Sequence, residues 1–188
     1  GTQALVRNLG AAEIVGQFMA ARDSYGEWPS PKDGTPRHLS NIVVMGMGEP
    51  LANYDAVLRA LTIVNAEWGL GIGARRITVS TVGLPAAIRK LCTFEIPVTL
   101  ALSLHAPFDE LRRKIIPWAE YSTIDELLDA CQEWFVKTGR EITLEYILLG
   151  GFSGLWVDSV DATTGVITFL AHPDRGPNCE PVNVDGDA

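Results

Sequence analysis

The 188-residue sequence has few cysteines, no long hydrophobic run and fewer basic than acidic residues. Its three cysteines, Cys92, Cys131 and Cys179, are widely separated, so they form neither a CxxC pair nor the disulfide framework of a small secreted protein. No segment approaches the roughly 18 apolar residues that a membrane-spanning helix needs. We therefore expect a soluble, cytoplasmic protein with reduced thiols and no membrane partner.

The charge balance argues against a protein that holds nucleic acid by bulk charge. The chain has 15 Lys and Arg against 23 Asp and Glu, a formal net charge of −8. Phosphate contacts need a local excess of basic residues. Only short clusters such as 112–114 have such an excess, and these clusters are more often solvated helix ends than RNA contacts. The 47% of hydrophobic residues still allows a sizeable core.

The segment Asn41 to Leu51 predicts a buried strand that leads into a binding loop. Its apolar, β-branched run is typical of a parallel strand covered on both faces. Gly46 and Gly48 remove side chains where the backbone leaves the strand, so a ligand can approach the main chain, and Glu49 adds a carboxylate. The alternative is an ordinary glycine turn between a strand and a helix.

Helical and strand patterns alternate up to residue 151. The spacing of apolar residues predicts helices over 11–25, 54–68 and 124–135, and Pro85 begins a shorter one. Trp68, Leu128 and Phe135 are predicted to lie on the apolar faces of these helices, Thr123 and Glu126 to form a capping box, and the basic residues 112–114 to lie in a loop. Strands are predicted at 76–80, 97–103 and 142–149. This alternation predicts βαβ units, and hence an α/β fold with a parallel sheet.

Polar or small residues follow three of the predicted strands, at 48–49, 80–81 and 103–105. The C-terminal ends of parallel strands meet at one edge of a sheet, where α/β proteins bind ligands, so we expect these residues to form one site. A purely structural role stays open for each residue alone. Ser80 and Thr81 could bond to turn backbone, and His105 could cap the next loop.

The composition changes after residue 151. Residues 152–188 contain six acidic residues and one arginine. We therefore divide the chain into a core domain, 1–151, and an acidic tail, 152–188. In the tail, residues 157–170 are predicted to form a β-hairpin, and the end from His172 to be disordered.

Six segments carry a further pattern: GTQALVRNL (1–9), EIVGQ (13–17), VMGMGEPLANYD (44–55), RRITVSTVGLPAAI (75–88), LALSLHAPFDELRRKIIP (100–117) and EYILLGG (145–151). Together they resemble the RlmN/Cfr family of radical S-adenosylmethionine RNA methyltransferases. The joint occurrence of GMGEPL, STVG and SLHAP at this spacing is highly specific. The resemblance covers nearly all of residues 1–151.

The resemblance implies a partial (β/α) barrel of the radical S-adenosylmethionine type, which binds the cofactor at the C-terminal ends of its strands. Glu49 would receive the methionine ammonium group, and the residues from Ser103 onward would surround the carboxylate and ribose. The positions that match cofactor contacts of the family are Gly48, Glu49, Ser80, Ser103, Leu104 and His105.

The family uses a 4Fe-4S cluster to cleave S-adenosylmethionine to a 5′-deoxyadenosyl radical. That radical takes hydrogen from a methyl group on a protein cysteine, and the resulting carbon radical adds to carbon 2 of an adenine. The implied partners are 23S rRNA, tRNA for some members, and an electron donor such as flavodoxin.

The residues that carry this chemistry in the family are missing from the sequence. The family's cluster-binding CxxxCxxC motif would immediately precede Gly1, and its methyl-carrying cysteine would follow Gly151. We therefore expect a fragment, or a frameshifted or fused product, that is inactive alone and has no catalytic or metal-binding residues of its own.

Two other interpretations stay open. One is another radical S-adenosylmethionine enzyme with a similar GEP loop, which the SLHAP and RNL segments disfavour. The other is a non-catalytic remnant that binds S-adenosylmethionine, which ligand titration would distinguish. A phosphate-binding barrel enzyme would need a late glycine-rich loop with a nearby lysine, and the sequence has neither.

Overall fold

The computed structural model describes residues 5–28, 37–45, 47–147, 155–160 and 167–171, the last two segments by their backbone alone. The α-helices in these ranges are α1 Ala11–Ser24, α2 Tyr54–Asn65, α3 Pro85–Leu91, α4 Asp109–Ile115 and α5 Ile124–Thr138. The strands are β1 Ile42–Val44, β2 Ile77–Thr81, β3 Thr99–Ser103, β4 Ile142–Glu145, β5 Leu155–Val160 and β6 Ile167–Ala171. Short 3₁₀ turns occupy Pro50–Asn53, Ala74–Arg76 and Pro117–Tyr121.

Strands β1 to β4 form one parallel sheet, in which each strand pairs with the next strand in the chain. Thr78 lies opposite Thr99, and Ser103 lies opposite Glu145. Parallel strands that follow one another in this order are the arrangement of a (β/α) barrel. The predicted α/β fold with a parallel sheet is therefore confirmed.

The two faces of this sheet differ in chemistry. Side chains alternate along a strand, so Ile77, Val79, Leu100 and Leu102 share one face, and the helices bury all four in the core. The opposite face carries short polar side chains, at 78, 80, 99, 103 and 143, together with Glu145. The apolar face holds the layers together and leaves the polar face for a ligand.

Helix α5 shows how local sequence signals set the helix ends. The hydroxyl of Thr123 accepts the Glu126 backbone N–H at 3.2 Å, and the Glu126 carboxylate accepts the Thr123 N–H at 2.8 Å. This is the predicted capping box. Gly139 ends the helix in the left-handed conformation, with φ of 65°, which glycine adopts without a steric penalty.

Four local predictions are wrong. Strand β1 is not covered on both faces, because Val43 is 52% exposed. Helix α2 ends at Asn65, so Trp68 lies in the following turn, out of phase with the buried face, and is 76% exposed. The segment 112–114, predicted to lie in a loop, belongs to α4. Acidic residues in the first turn of α4 and basic residues in its last turn stabilise this helix by their interaction with the helix dipole. On α5, Leu128 and Phe135 are 43% and 50% exposed rather than buried.

The sequence after residue 151 contains an antiparallel pair, β5 with β6. The turn between these strands and the segment from His172 lie outside the described residues. The division of the chain at residue 151 stays a prediction. Within the described ranges, none of the helices is both long and apolar enough to span a bilayer.

Candidate functional site at the C-terminal edge of the sheet

Glu49 fastens the loop after β1 to the end of β2. Its side chain is 6% exposed. Its Oε1 accepts the Leu51 N–H at 2.9 Å and the Thr81 hydroxyl at 2.7 Å, and its Oε2 accepts the Val82 N–H at 2.8 Å. Both carboxylate oxygens therefore bind donors of the chain itself, which gives Glu49 a structural role.

Gly48 is exposed beside this carboxylate, whereas Gly46 lies outside the described residues. A Cβ added at Gly48 would come no closer than 4.0 Å to its nearest neighbour, the Leu5 side chain. The described part of the chain therefore does not require a glycine at position 48. A side chain there would reduce the access of a ligand to the backbone, and the binding role of this loop stays a prediction.

Ser80 and Ser103, near the C-terminal ends of adjacent strands, both donate hydrogen bonds to Glu145. The Ser103 hydroxyl donates to Glu145 Oε2 at 2.8 Å, and the Ser80 hydroxyl donates to the same oxygen at 3.4 Å. Ser80 is 4% exposed and Ser103 is 9% exposed, whereas Glu145 is half-buried. The structure thus brings two predicted site residues together around a third residue that the sequence analysis did not single out.

The backbone after β3 is fixed to the same glutamate. The N–H groups of Leu104 and His105 both donate to the carbonyl oxygen of Glu145, at 3.0 and 3.4 Å. His105 adopts a left-handed conformation with φ of 56°, which is uncommon for a residue other than glycine. The backbone of Leu104 and His105 therefore joins the loop after β3 to the end of β4, beside Ser103.

The imidazole of His105 is a hydrogen-bond acceptor in this arrangement. Its Nδ1 accepts the Ile147 N–H at 3.2 Å, which requires an unprotonated Nδ1. Burial lowers the pKa of His105, and the nearby charge of Arg112 lowers it further, while Glu145 opposes the shift. At neutral pH the side chain is therefore an uncharged imidazole that ties the segment after β4 to the loop after β3.

Arg112 connects the loop after β2 to the end of β3 and the loop that follows it. Its side chain is fully buried. Nε donates to the Leu104 carbonyl at 3.1 Å, and Nη2 donates to the carbonyls of Ser103, at 3.2 Å, and Val82. Among the described residues, Nη1 has no hydrogen-bond partner. Burial lowers the pKa of Arg112 and Asp109 opposes the shift, but a guanidinium stays charged in proteins.

The predicted residues thus form two connected groups rather than one cluster. The Glu49 group lies between β1 and β2, and the Glu145 group lies between β3 and β4. Arg112 joins them, since it binds the carbonyls of Val82 and Ser103, whose own N–H and hydroxyl bind the two glutamates. The sequence analysis missed Glu145, although it lies at a strand end as the others do, and it placed Arg112 in a solvated basic cluster.

The described thiols do not fit an iron-sulfur cluster, which needs several thiolates together. Cys131 is buried in α5, where burial raises its thiol pKa, and Cys92 lies at the C-terminal end of α3. Both are free thiols. No group of three or more His, Cys, Asp and Glu suited to a metal ion occurs in the described ranges.

Comparison with known proteins gives many relatives of one kind. A protein of Granulibacter bethesdensis named dual-specificity RNA methyltransferase RlmN is 54% identical over 184 residues, which cover 97% of this chain. The protein of the same name from Rhodospirillum rubrum is 47% identical over 192 residues and again covers 97% of the chain. The chain belongs to the RlmN family. No family model matches it.

The chain spans less than half the length of these RlmN proteins, 45% and 44%. Both matches extend past residue 151, because they cover 97% of this chain. The crystal structure of a radical SAM methyltransferase from Sphaerobacter thermophilus is also similar, with a TM-score of 0.72 and 44% identity. That similarity covers 80% of this chain and 42% of the solved chain. The parallel sheet is therefore part of a radical SAM methyltransferase fold.

Proposed function

We propose that the protein to which this chain belongs is a cytoplasmic radical S-adenosylmethionine RNA methyltransferase that modifies carbon 2 of adenine in 23S rRNA and in tRNA. The observation that supports this most strongly is the 54% identity to an RlmN protein across 97% of the chain. In this proposal, the described residues form part of the S-adenosylmethionine site, and an electron donor such as flavodoxin serves the complete enzyme.

The polar edge of the sheet suits the chemistry of S-adenosylmethionine. The cofactor has an ammonium, a carboxylate, a sulfonium and two ribose hydroxyls, which need hydrogen-bond partners of both kinds. The edge offers the half-buried carboxylate of Glu145, the serine hydroxyls at 80 and 103, and the exposed backbone at Gly48. The neutral imidazole of His105 adds no positive charge next to the cationic ligand.

When bound to a 4Fe-4S cluster, S-adenosylmethionine supplies a carbon radical. The described residues bind and orient this cofactor, and the cluster ligands fall outside them. Glu49 receives the methionine ammonium group in this proposal, since its Oε2 accepts only one hydrogen bond from the described residues. Glu49 and Arg112 also hold the loops after β1, β2 and β3 in place before the cofactor arrives. Fixing these groups in advance lowers the cost of ordering them on binding.

Calorimetric titration of the purified chain with S-adenosylmethionine tests the proposal. We expect weak but measurable binding, and we expect Glu49→Ala to abolish it, because Thr81 and Val82 lose the carboxylate that holds them. Glu67→Ala, which changes an exposed acid in the turn after α2, is the matched control and should bind normally. Absence of binding to the unmodified chain, or tight binding that Glu49→Ala does not affect, would contradict the proposed site.

A further inference from the structure

A short helical segment between β3 and α5 lies at the C-terminal edge of the sheet. It consists of α4 and the 3₁₀ turn that follows it, and we call these residues, 109–121, the rim segment. Arg112 binds it to carbonyl oxygens at or just after the ends of β2 and β3. The hydroxyl of Ser122, the next residue, donates to the Gly83 carbonyl at 3.2 Å. The rim segment is therefore held in a fixed position beside the candidate site.

The exposed residues of the rim segment include an aromatic ring and two basic side chains. The rings of Trp118 and Tyr121 are tilted by 58°, with 5.8 Å between their centroids. Trp118 is half-buried, whereas Tyr121 is 76% exposed. Arg113 and Lys114 are exposed on α4, which packs against the turn that carries the aromatic pair. One small surface thus combines a ring face with positive charge.

We propose that the rim segment binds single-stranded RNA next to the target adenine. Tyr121, supported by Trp118, stacks on a base, and Arg113 and Lys114 contact phosphates. This inference rests on the proposed function. It adds an RNA surface to a site so far described only by its cofactor contacts.

The chemistry of the rim segment is the kind by which proteins bind unpaired RNA. Bases that are free of a duplex stack on aromatic side chains, while Lys and Arg contact the phosphates between them. An enzyme that modifies a ring atom of a base takes that base out of its stack or meets it unpaired. The neighbouring nucleotides then lie beside the site, which is where the rim segment is held.

The two basic side chains remain available for an anionic partner. The acidic residues of the same segment that are exposed, Glu110 and Glu120, form no ion pair with Arg113 or Lys114. The formal net charge of the chain is −8, so the chain as a whole repels phosphate. Contact with RNA therefore depends on local positive groups such as these.

A solvated helix end makes a different prediction for the same residues. If Arg113 and Lys114 only stabilise the C-terminal end of α4, their loss would change the stability of the helix and not the affinity for RNA. If Tyr121 only covers Trp118, its removal would likewise leave RNA binding unchanged. Comparison of variants at the two edges of the sheet separates these roles.

The test uses the complete purified chain and fluorescence anisotropy with a labelled single-stranded oligoadenylate of about ten nucleotides at about 50 mM salt. The stacking of one base on an aromatic ring is strong enough that Tyr121→Ala should weaken binding at least about fivefold. Tyr121→Phe keeps the ring and should retain binding. Trp68→Ala is the matched control, because Trp68 is also 76% exposed but precedes β2 at the opposite edge of the sheet, and it should bind normally.

The salt dependence of binding tests the phosphate contacts. Each contact with a single strand contributes about 0.7 to the slope of log affinity against log salt concentration, so Lys114→Gln should reduce that slope by about this amount. Arg75→Gln, at an exposed position just before β2, is the control and should keep the slope. An abasic oligomer of the same length has phosphates but no bases, so it should bind the unmodified chain and Tyr121→Ala equally.

Several outcomes would overturn the inference. One is the absence of oligoadenylate binding by the unmodified chain, and another is equal affinity of Tyr121→Ala and Trp68→Ala. If Tyr121→Ala does not fold, equal affinity of the unmodified chain for the oligoadenylate and the abasic oligomer refutes the stacking contact. A chain that binds S-adenosylmethionine but no oligoadenylate overturns this inference and leaves the proposed cofactor site intact, whereas a chain that binds no S-adenosylmethionine contradicts that site.

Discussion

Replacement of Arg112 by methionine should strongly destabilise the fold. The guanidinium is fully buried and donates to the carbonyl oxygens of Val82, Ser103 and Leu104, which lie at or just after the ends of two neighbouring strands. Methionine has a similar length and fills the same space without any donor. Arg112→Met therefore removes three hydrogen bonds while it leaves the packing nearly unchanged.

The expected size of the effect follows from these contacts. Each buried carbonyl that loses its donor costs about 1–3 kcal/mol. Part of this loss is offset, because the variant no longer buries a positive charge, whose removal from water is itself costly. We expect a net loss of about 2–4 kcal/mol in the free energy of unfolding, a large part of the 5–15 kcal/mol that is typical of a domain.

Urea unfolding monitored by far-UV circular dichroism measures this loss. With a slope of about 1–3 kcal/mol per molar urea, the midpoint should fall by about 1–3 M. Arg113→Met is the matched control: Arg113 is the next residue of α4 and is exposed, so its loss should cost less than about 0.5 kcal/mol. Arg112→Lys keeps the charge but cannot reach all three carbonyls, so its urea midpoint should lie between those of Arg112→Met and Arg113→Met. Equal midpoints for Arg112→Met and Arg113→Met would refute this reasoning.

Two further predictions concern the loops beside the site. Gly83→Ala should lower the free energy of unfolding by about 2–4 kcal/mol, because φ is 102° at Gly83 and an added Cβ would lie 2.3 Å from a methyl carbon of Leu127. Thermal unfolding should show no such loss for the control Gly73→Ala, because no described neighbour lies within 4 Å of a Cβ added there. For His105, the folded pKa is below the ordinary value of 6.5, so the unfolded chain takes up a proton first as the pH falls. Stability should therefore fall with pH from about 6.5 down to the folded pKa of His105. His105→Asn, which tolerates the left-handed conformation, should remove this part of the pH dependence, and an unchanged melting profile between pH 7.5 and 5 would contradict the assignment.

The contacts of Glu49 and Arg112 suggest how this site stays ordered without its ligand. Each of the two charged side chains bonds to backbone groups from more than one loop, and each is buried. Their opposite charges are both near Val82, which donates its N–H to Glu49 and accepts a hydrogen bond from Arg112. A buried charge is stabilised by such oriented dipoles, so the loops and the charges fix one another.

The sequence by itself determined the order and type of the main elements and the family. Short continuous apolar runs alternate along the chain with segments whose apolar residues recur at helical spacing. The first pattern is typical of a strand and the second of an amphipathic helix, so their alternation predicts the parallel sheet. Caps such as Thr123 with Glu126, and the left-handed Gly139, act within a few residues of the chain, so their signals can be read locally. The strand-end residues 80 and 103 were likewise predicted to share one edge of the sheet.

Only the tertiary structure decided what each polar side chain binds. Glu49 and Glu145 both follow or end strands and look alike in sequence, yet Glu49 accepts hydrogen bonds from Thr81 and Val82, while Glu145 accepts them from two serine hydroxyls. Arg112 and Arg113 are adjacent in one basic cluster, yet one is fully buried and the other is exposed. Hydrogen bonds between residues 30 to 65 positions apart depend on how the strands are placed side by side, which no local pattern records.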